Sequence, residues 1–546
     1  VLSDEIVIDH RQNIDQRIAN AKHVNFFLIH VPIIQALPTL AIGQVALQLP
    51  PQEQENMTSH PSIRNLEPTH LWSAFDDLNA IPRPSKGEAG VSQFIVDQGK
   101  RLGLTTLCDR WGNVLIRKPA TIGYESHPTV VLQSHLDMVW QKNADCAFDF
   151  TSEGIKMCVE GDWVRAEGTT LGADNGIGVA AILAILASKT SSIDLKHPPL
   201  ECLFTTDEET GMTGAKQLEP TWLTGSVLLN LDTEQDHELT IGCAGGVDVT
   251  AKGEYQPEQL TANHACFAWK VRGLKGGHSG MEIHLGRANA NKIINRLLWL
   301  GQKQFDLRLH ALDGGSLRNA IPREATATVC LPHDQASPCE AWLPQVSQII
   351  QHEYMLTDPL LRITCEPLAT PVRSVLPLLS QQRLIAALDG ALSGIHRMSP
   401  SIPGLVQTSN NLARVAVGEG RLEVHCLTRS SVDSERDELA RCLRSVFEGI
   451  PAEVDVRGDY PGWQPNPKSQ VVQQMTQLYQ ELFNGAPHVA ACHAGLECGI
   501  LGAKKPGMDM VSFGPNILGA HSPDERVQIS SVQKFWRFLL ETLARL

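Results

Sequence analysis

A chain of 546 residues, 42% apolar and 19% charged, exceeds what one hydrophobic core serves, so at least two folded domains are expected and a disordered or fibrous chain is not. A formal charge of −14 argues against the concentrated basic surface that nucleic acid needs and favours small partners. Thirteen cysteines stand singly with no CxxC pair, a pattern that suits buried thiols in a reducing compartment, and the chain is read as cytoplasmic.

The first 56 residues stand apart. Val24 to Leu49 is apolar, but Asn25, His30, Pro32, Gln35, Pro38, Gln44 and Gln48 interrupt it, so it lacks the unbroken core of a signal or membrane segment. The polar stretch Pro50 to Asn56 then leads into Met57. Residues 1–66 are read as an extension and linker outside the catalytic fold, with a membrane-associated or targeting arm as the alternative.

From Leu71 the pattern becomes regular. Leu71 to Leu78 and Val91 to Leu102 carry apolar residues at helical spacing. Val114-Leu115-Ile116 follows a turn, and Thr129 to Ser134 is a strand of the kind buried on both faces, ending at His135. Gly172-Ala173-Asp174-Asn175-Gly176 opens an apolar helix, Ile177 to Ala187. Leu200 to Thr205 is another buried strand, running into Asp207-Glu208-Glu209; Met212 to Leu218 reads as a helix, and Val227 to Leu231 as a strand ending at Asp232. This β-α-β-α-β alternation predicts an α/β fold with a mainly parallel sheet. After Gly245-Gly246 the texture changes to alternating strands such as Phe267 to Val271 and Ala325 to Val329, with helices such as Ala288 to Leu300. The helix Val471 to Phe483, the strand Met510 to Phe513 and the helix Val532 to Leu546 complete the first domain. The expected division is 67–246 and 459–546 for the catalytic domain, with 247–458 inserted as an α+β domain.

Polar residues that end parallel strands converge on one crevice. His135, Asp137, Asp174, Glu208, Glu209, Asp232 and His521 are therefore read together. Taken singly, Asp174 could be a helix cap, Asp232 a strand-ending turn residue, and Glu208-Glu209 a solvated pair. As a set they provide two imidazoles and enough carboxylates for two cations, with open positions for water and substrate if Asp174 bridges. His135 and Asp137 share a side by period-two geometry, so the aspartate can fix the imidazole tautomer. One of the adjacent glutamates can bind metal while the other takes a proton from the attacking water. Mixed N/O donors without thiolate favour Zn2+, two per chain, with Mn2+ or Co2+ as substitutes.

Ser134-His-Leu-Asp-Met-Val139, Gly168 to Gly178, Gly242-Cys-Ala-Gly-Gly246, Gly273-Leu-Lys-Gly-Gly-His-Ser-Gly280, Leu317 to Ala325, His493-Ala-Gly-Leu-Glu-Cys-Gly499 and His521-Ser-Pro-Asp-Glu525 occur in order. They resemble the bacterial aminoacyl-histidine dipeptidases, of the di-zinc aminoacylase and carboxypeptidase group of metallopeptidases, over about residues 67–546. The resemblance implies a zinc-dependent dipeptidase acting on unblocked dipeptides, including Xaa-His and β-alanyl-histidine. It implies that His135 and Asp232 hold one zinc, Glu209 and His521 the other, and Asp174 both, with Glu208 as general base and Asp137 as the orienting carboxylate. The insertion would be a lid and homodimerisation domain. Its His278 would stabilise the oxyanion, Asn319 and Arg429 would hold substrate, and His493 would shape the pocket; an ion pair with Asp433 is the ordinary alternative for Arg429. Asp207 departs from the family pattern and is expected to put the base in a more negative field. An aminoacylase or carboxypeptidase acting on N-acyl amino acids, or a catalytically silent binding relative, are the alternatives. The intact Glu208 speaks against silence.

Overall fold

The computed structural model describes residues 62–189, 195–261, 263–370 and 372–546, so the extension read over residues 1–66 lies almost wholly outside the described residues. Helices α1 (Thr69–Asn79) and α2 (Ala89–Arg101) fall where the apolar spacing places them, with Leu71, Trp72, Phe75 and Leu78 of α1 turned inward. Strands β1 (Thr105–Cys108) and β2 (Val114–Lys118) form an antiparallel hairpin. There follow β3 (Val130–His135), α3 (Ala173–Leu186), β4 (Leu200–Thr205), β5 (Val227–Asn230) and β6 (Glu238–Cys243). After a long excursion the chain returns as α4 (Gln470–Phe483), β7 (His488–Cys492), α5 (Glu497–Lys504), β8 (Asp509–Ser512) and α6 (Ile529–Leu543).

These strands make one sheet in the order β1-β2-β4-β3-β5-β8-β6-β7. Its centre is parallel: β3 pairs with β4 and with β5, and β5 with β8, while the β1–β2–β4 side is antiparallel. Both faces are covered, which is why its strands read as unbroken apolar runs. Val130 and Leu132 of β3 enter a core shared with α1, α2, α3, α4 and α6, while Val131 faces the opposite core with Leu115, Leu203 and Leu228. The parallel register places His135 beside Thr205 and Gln133 beside Asn230, so the three strands end together. That shared rim carries the site.

Helix α3 is apolar all round because it is buried all round, packed between α1 and β3. Gly178 permits the approach: a Cβ there would stand 2.5 Å from Ser134 Oγ and 2.8 Å from the Leu231 carbonyl oxygen. The helix expected from Met212 to Leu218 is the short Thr213–Gln217 with those two residues as its caps, and a separate turn, Glu208–Gly211, precedes it, with Met212 between them in the left-handed region at φ 51°. The break follows from the first turn being tied back to Asp137 through its N–H groups.

The excursion from Gly245 to Tyr460 forms a second, antiparallel sheet. Strands Arg362–Pro367, His264–Arg272, Ala325–Pro332, Arg308–Gly315, Val406–Gly418, Arg421–Ser430, Gly245–Glu254 and Glu453–Tyr460 follow one another across it. Helices Ala290–Gln304, His333–Glu353, Leu378–Gly390 and Asp433–Phe447 contribute to its single core. Among the described residues, no helix is long and apolar enough to cross a membrane.

The closeness of α3 to the strand ends gives a test. Gly178→Ala is expected to destabilise the protein by about 1–3 kcal/mol through overpacking against backbone that cannot move aside. The shift would be read from urea denaturation.

Candidate metal centre

The rim of the parallel sheet gathers the seven residues read from the sequence. His135 Nε2 lies 3.2 Å from Asp174 Oδ1 and 3.2 Å from Asp232 Oδ1. His521 Nε2 lies 3.2 Å from Asp174 Oδ2 and 3.1 Å from Glu209 Oε2. The two oxygens of Asp174 thus face two different histidines, and each histidine meets one further carboxylate. Within each trio, His135/Asp174/Asp232 and Asp174/Glu209/His521, donor atoms lie within 4.8 Å of one another, and Glu208 and Glu209 form a third such group with His135.

Two carboxylates of this cluster, Asp137 and Asp232, are held by donors from other segments. Asp137 accepts the N–H groups of Glu208, at 2.9 Å, and Glu209, at 3.2 Å, and so holds the turn after β4 against the turn after β3. The nearer acceptor for His135 Nδ1 is the Asp137 backbone carbonyl at 3.1 Å, with the carboxylate at 3.5 Å. Residue 137 thus meets the imidazole mainly through its main chain, with the carboxylate that the sequence reading invoked lying farther off. Asn175 donates to the Leu231 carbonyl at 2.7 Å and to the Asp232 carboxylate, aiming that aspartate at His135.

The charge balance suits cations. Hydrogen bonds donated to the carboxylates of Asp174 and Glu209 raise His521 to about 11. Burial works against protonating His135, but the Asp232 charge and bonds to Asp137, Asp174 and Asp232 carry it well above the ordinary imidazole value. Burial raises Glu208 well above the carboxylate range, assisted by Asp232, Glu209 and Glu497, and raises Glu209 as well. Burial would raise Asp174 too, but the two histidines hold it well below the ordinary value. Glu209 Oε1 is buried without a hydrogen-bond partner. A donor set this negative, drawing protons onto both imidazoles and leaving a carboxylate oxygen unmet, fits two divalent cations.

Asp207 does not act as expected. Its own φ is 54°, and its side chain accepts the hydroxyls of Thr210 and Thr213, so it is spent within its own turn. The acids that raise Glu208 are Asp232, Glu209 and Glu497.

His278, Asn319 and Arg429 of the excursion and His493, which directly follows β7, form a separate group. A Cβ on Gly280 would meet the His493 carbonyl oxygen at 2.1 Å, His278 Cε1 at 3.1 Å and Arg429 Nε at 3.2 Å. Asn319 joins them through its backbone carbonyl, which accepts Ser279 N–H at 2.7 Å. His278 Nδ1 accepts the N–H groups of Gly280, at 3.2 Å, and Met281, at 3.0 Å, so in the neutral ring the proton sits on Nε2. Burial and the Arg429 charge push His278 down to about 4 and His493 to about 3. Arg429 donates to the Tyr460 hydroxyl at 3.0 Å, and Asp433 pairs with Arg436 instead, which disposes of the Arg429–Asp433 ion pair. Among the described residues no hydrogen bond or ion pair joins this group directly to the cation group. The segment 493–497 spans them: Glu497 accepts Gln133 and Thr205, each at 2.6 Å, beneath the strand ends.

Several participants escape a reading of the sequence. Glu497 and Glu525 lie inside quoted motifs but carry no role there. Glu234, raised to about 8 by burial and by Asp174, lies in the bend past the end of β5, where strand periodicity gives no signal. Arg83, buried beneath the 136–137 and 172 carbonyls, leaves no sequence signal.

A crevice at the carboxyl ends of a parallel sheet, with two histidines sharing one carboxylate, defines a hydrolase of the metallopeptidase class. The model of Peptidase family M20/M25/M40 matches residues 131–545, and the chain belongs to that family. It is 42% identical over 481 residues to the cytosol non-specific dipeptidase of Escherichia coli, covering 88% of this chain and 98% of the relative. The crystal structure of aminoacylhistidine dipeptidase from Vibrio alginolyticus superposes with a TM-score of 0.83 at 43% identity, covering 89% of this chain and 98% of the other. Aminopeptidase PepT from Bacillus cereus shares the fold, with a TM-score of 0.51 at 14% identity over 88% of this chain and 98% of its own.

Because the surrounding acids raise both His521 and His135 above the ordinary imidazole value, and a ligating imidazole must be neutral, cation binding is expected to release protons. Zinc titration calorimetry at pH 7 in buffers of different ionisation enthalpy is expected to report release of roughly two protons per chain, and affinity that rises with pH. Release of none would show that the histidines are not ligands.

Proposed function

We propose that this chain is a zinc-dependent dipeptidase that hydrolyses unblocked dipeptides, including Xaa-His and β-alanyl-histidine. The observation that carries the reading is Asp174, whose two oxygens face His135 and His521 at 3.2 Å each. The full-length similarity to two proteins named as dipeptidases supports the substrate class. His135 and Asp232 would hold one cation, Glu209 and His521 the other, and Asp174 both, with Mn2+ or Co2+ as possible substitutes for Zn2+. When bound, two such cations supply Lewis acidity at the scissile carbonyl, lower the pKa of water and offset the negative field of the cluster.

The chain's own groups do the rest. Glu208, half-buried and held through its N–H by Asp137, takes the proton of the attacking water and delivers it to the leaving amine. His278 is neutral and carries its proton on Nε2, the form needed to donate to a developing oxyanion. Arg429, fixed by Tyr460, grips the substrate carboxylate; Asn319 and His493 line the same place. Since no hydrogen bond or ion pair among the described residues joins the His278 group to the cation group, we place residues 247–458 as a lid and dimerisation domain that brings His278 there by closure or from a second subunit. We place the enzyme in the cytoplasm, in keeping with thirteen unpaired cysteines.

Chelator-stripped protein is expected to regain hydrolysis of β-alanyl-histidine as about two zinc equivalents bind per chain. No histidine release at full occupancy would overturn the substrate assignment and direct attention to N-acyl amino acids. Glu208→Gln is expected to lower kcat by roughly 10²–10⁴-fold with zinc content unchanged. His278→Ala should lower kcat by roughly 10²–10³-fold with little change in the zinc titration. Steady-state kinetics beside metal analysis checks both.

A further inference from the structure

Glu525 closes the His521-Ser-Pro-Asp-Glu motif, and the mechanism above gives it no task. It is 2% exposed, and its carboxylate accepts four consecutive backbone N–H groups. Oε2 takes Leu171 at 2.7 Å and Gly172 at 2.9 Å; Oε1 takes Ala173 at 2.8 Å and Asp174 at 3.2 Å. These are donors that the start of α3 cannot satisfy within the helix, and a carboxylate is the favoured acceptor there. The other side of the turn is held by Arg83, 1% exposed, whose Nη2 donates to the Gly172 carbonyl at 2.5 Å. Arg83 Nη1 donates to the carbonyls of Leu136, at 3.0 Å, and Asp137, at 3.3 Å. One carboxylate thus ties the segment bearing His521 to the turn bearing Asp174, and one guanidinium ties that turn to the segment bearing His135.

We propose that Glu525 is a positioning residue that sets the Asp174 carboxylate between His135 and His521, and so fixes the spacing at which the site accepts a pair of cations. The proposal rests on the two-cation reading. Its physical basis is that Asp174 bridges only if both oxygens keep their directions, and those directions follow from a backbone whose N–H at 174 and three preceding N–H groups share a single anchor. A glutamine offers one acceptor oxygen and an NH2 group that would meet N–H donors face to face, so the anchor fails without loss of volume.

A merely structural role for this buried acid makes a different prediction, and Glu201 provides the comparison. It is 1% exposed and accepts the N–H groups of Thr224, at 2.8 Å, and Gly225, at 3.0 Å, at the opposite end of β4. Zinc affinity would be measured by competition with a chromophoric chelator on the full chain, for wild type, Glu525→Gln, Glu525→Asp and Glu201→Gln. The Co2+-loaded proteins would be compared by electron paramagnetic resonance, where spin coupling reports two ions sharing a bridge. Glu525→Gln is expected to bind the second zinc equivalent roughly 10–100-fold more weakly and to lose spin coupling. Glu201→Gln should lower the unfolding temperature and keep both equivalents. Should Glu525→Gln not fold, Glu525→Asp carries the test, with weakened second-site affinity supporting the proposal. Wild-type affinity and coupling in the Glu525 variant that folds would overturn it. Wild-type protein that binds fewer than two equivalents would overturn the two-cation reading and this proposal with it, an outcome separate from any effect of Glu525.

Discussion

The carboxylates of Asp137, Asp174, Glu208, Glu209 and Asp232 close around the imidazoles of His135 and His521 in a largely buried crevice, an unfavourable concentration of charge unless each oxygen meets a donor or a cation. Much of the surrounding structure answers that constraint. Asp137 collects the N–H groups of the Glu208-Glu209 turn, Glu525 those of the Asp174 turn, and Glu88 that of Asp207. Each anchor acid lies on a different segment from the donors it receives. The same bonds that satisfy buried charge therefore also fix the relative positions of segments hundreds of residues apart.

The second group of functional candidates has the opposite electrostatic character. Arg429, buried beside His278 and His493, helps to push both imidazoles into the neutral form, whereas the acids at the sheet rim pull theirs into the charged form. Histidine serves two purposes in one protein, selected by the sign of the neighbouring charge. At the rim the acids draw protons onto the imidazoles; on the second sheet the His278 ring, whose Nδ1 accepts two backbone N–H groups, carries its proton on Nε2 when neutral. Between them runs the segment 493–497, with His493 bonded to Ser409 at 2.7 Å and Glu497 beneath the ends of β3 and β4. It is a covalent route from the His278 and Arg429 group to the strand ends of the first sheet.

Legibility in the sequence followed the range of the forces involved. Leu200 to Thr205 matches β4 residue for residue, because a strand buried on both faces must be a short, unbroken apolar run. The polar residues that end such runs were legible for the same reason, and with them His135, Glu208, Glu209 and Asp232. Asp207 was misread because adjacency in sequence suggested a shared field; a left-handed backbone turned its carboxylate onto two threonines.

By itself, then, the sequence determined the alternation of strands and helices, the strand-end acids and histidines, and the motifs that mark an M20 peptidase, since these depend on local periodicity and on residue chemistry. Only the tertiary structure decided that Asp174 presents one oxygen to each histidine, that Glu525 and Arg83 hold its turn from opposite sides, and that the His278 and Arg429 group stands apart from the cation group. Those facts depend on hydrogen bonds between segments up to 354 residues apart. Such bonds acquire a direction only when packing of the two sheets and their helices has fixed where each segment lies.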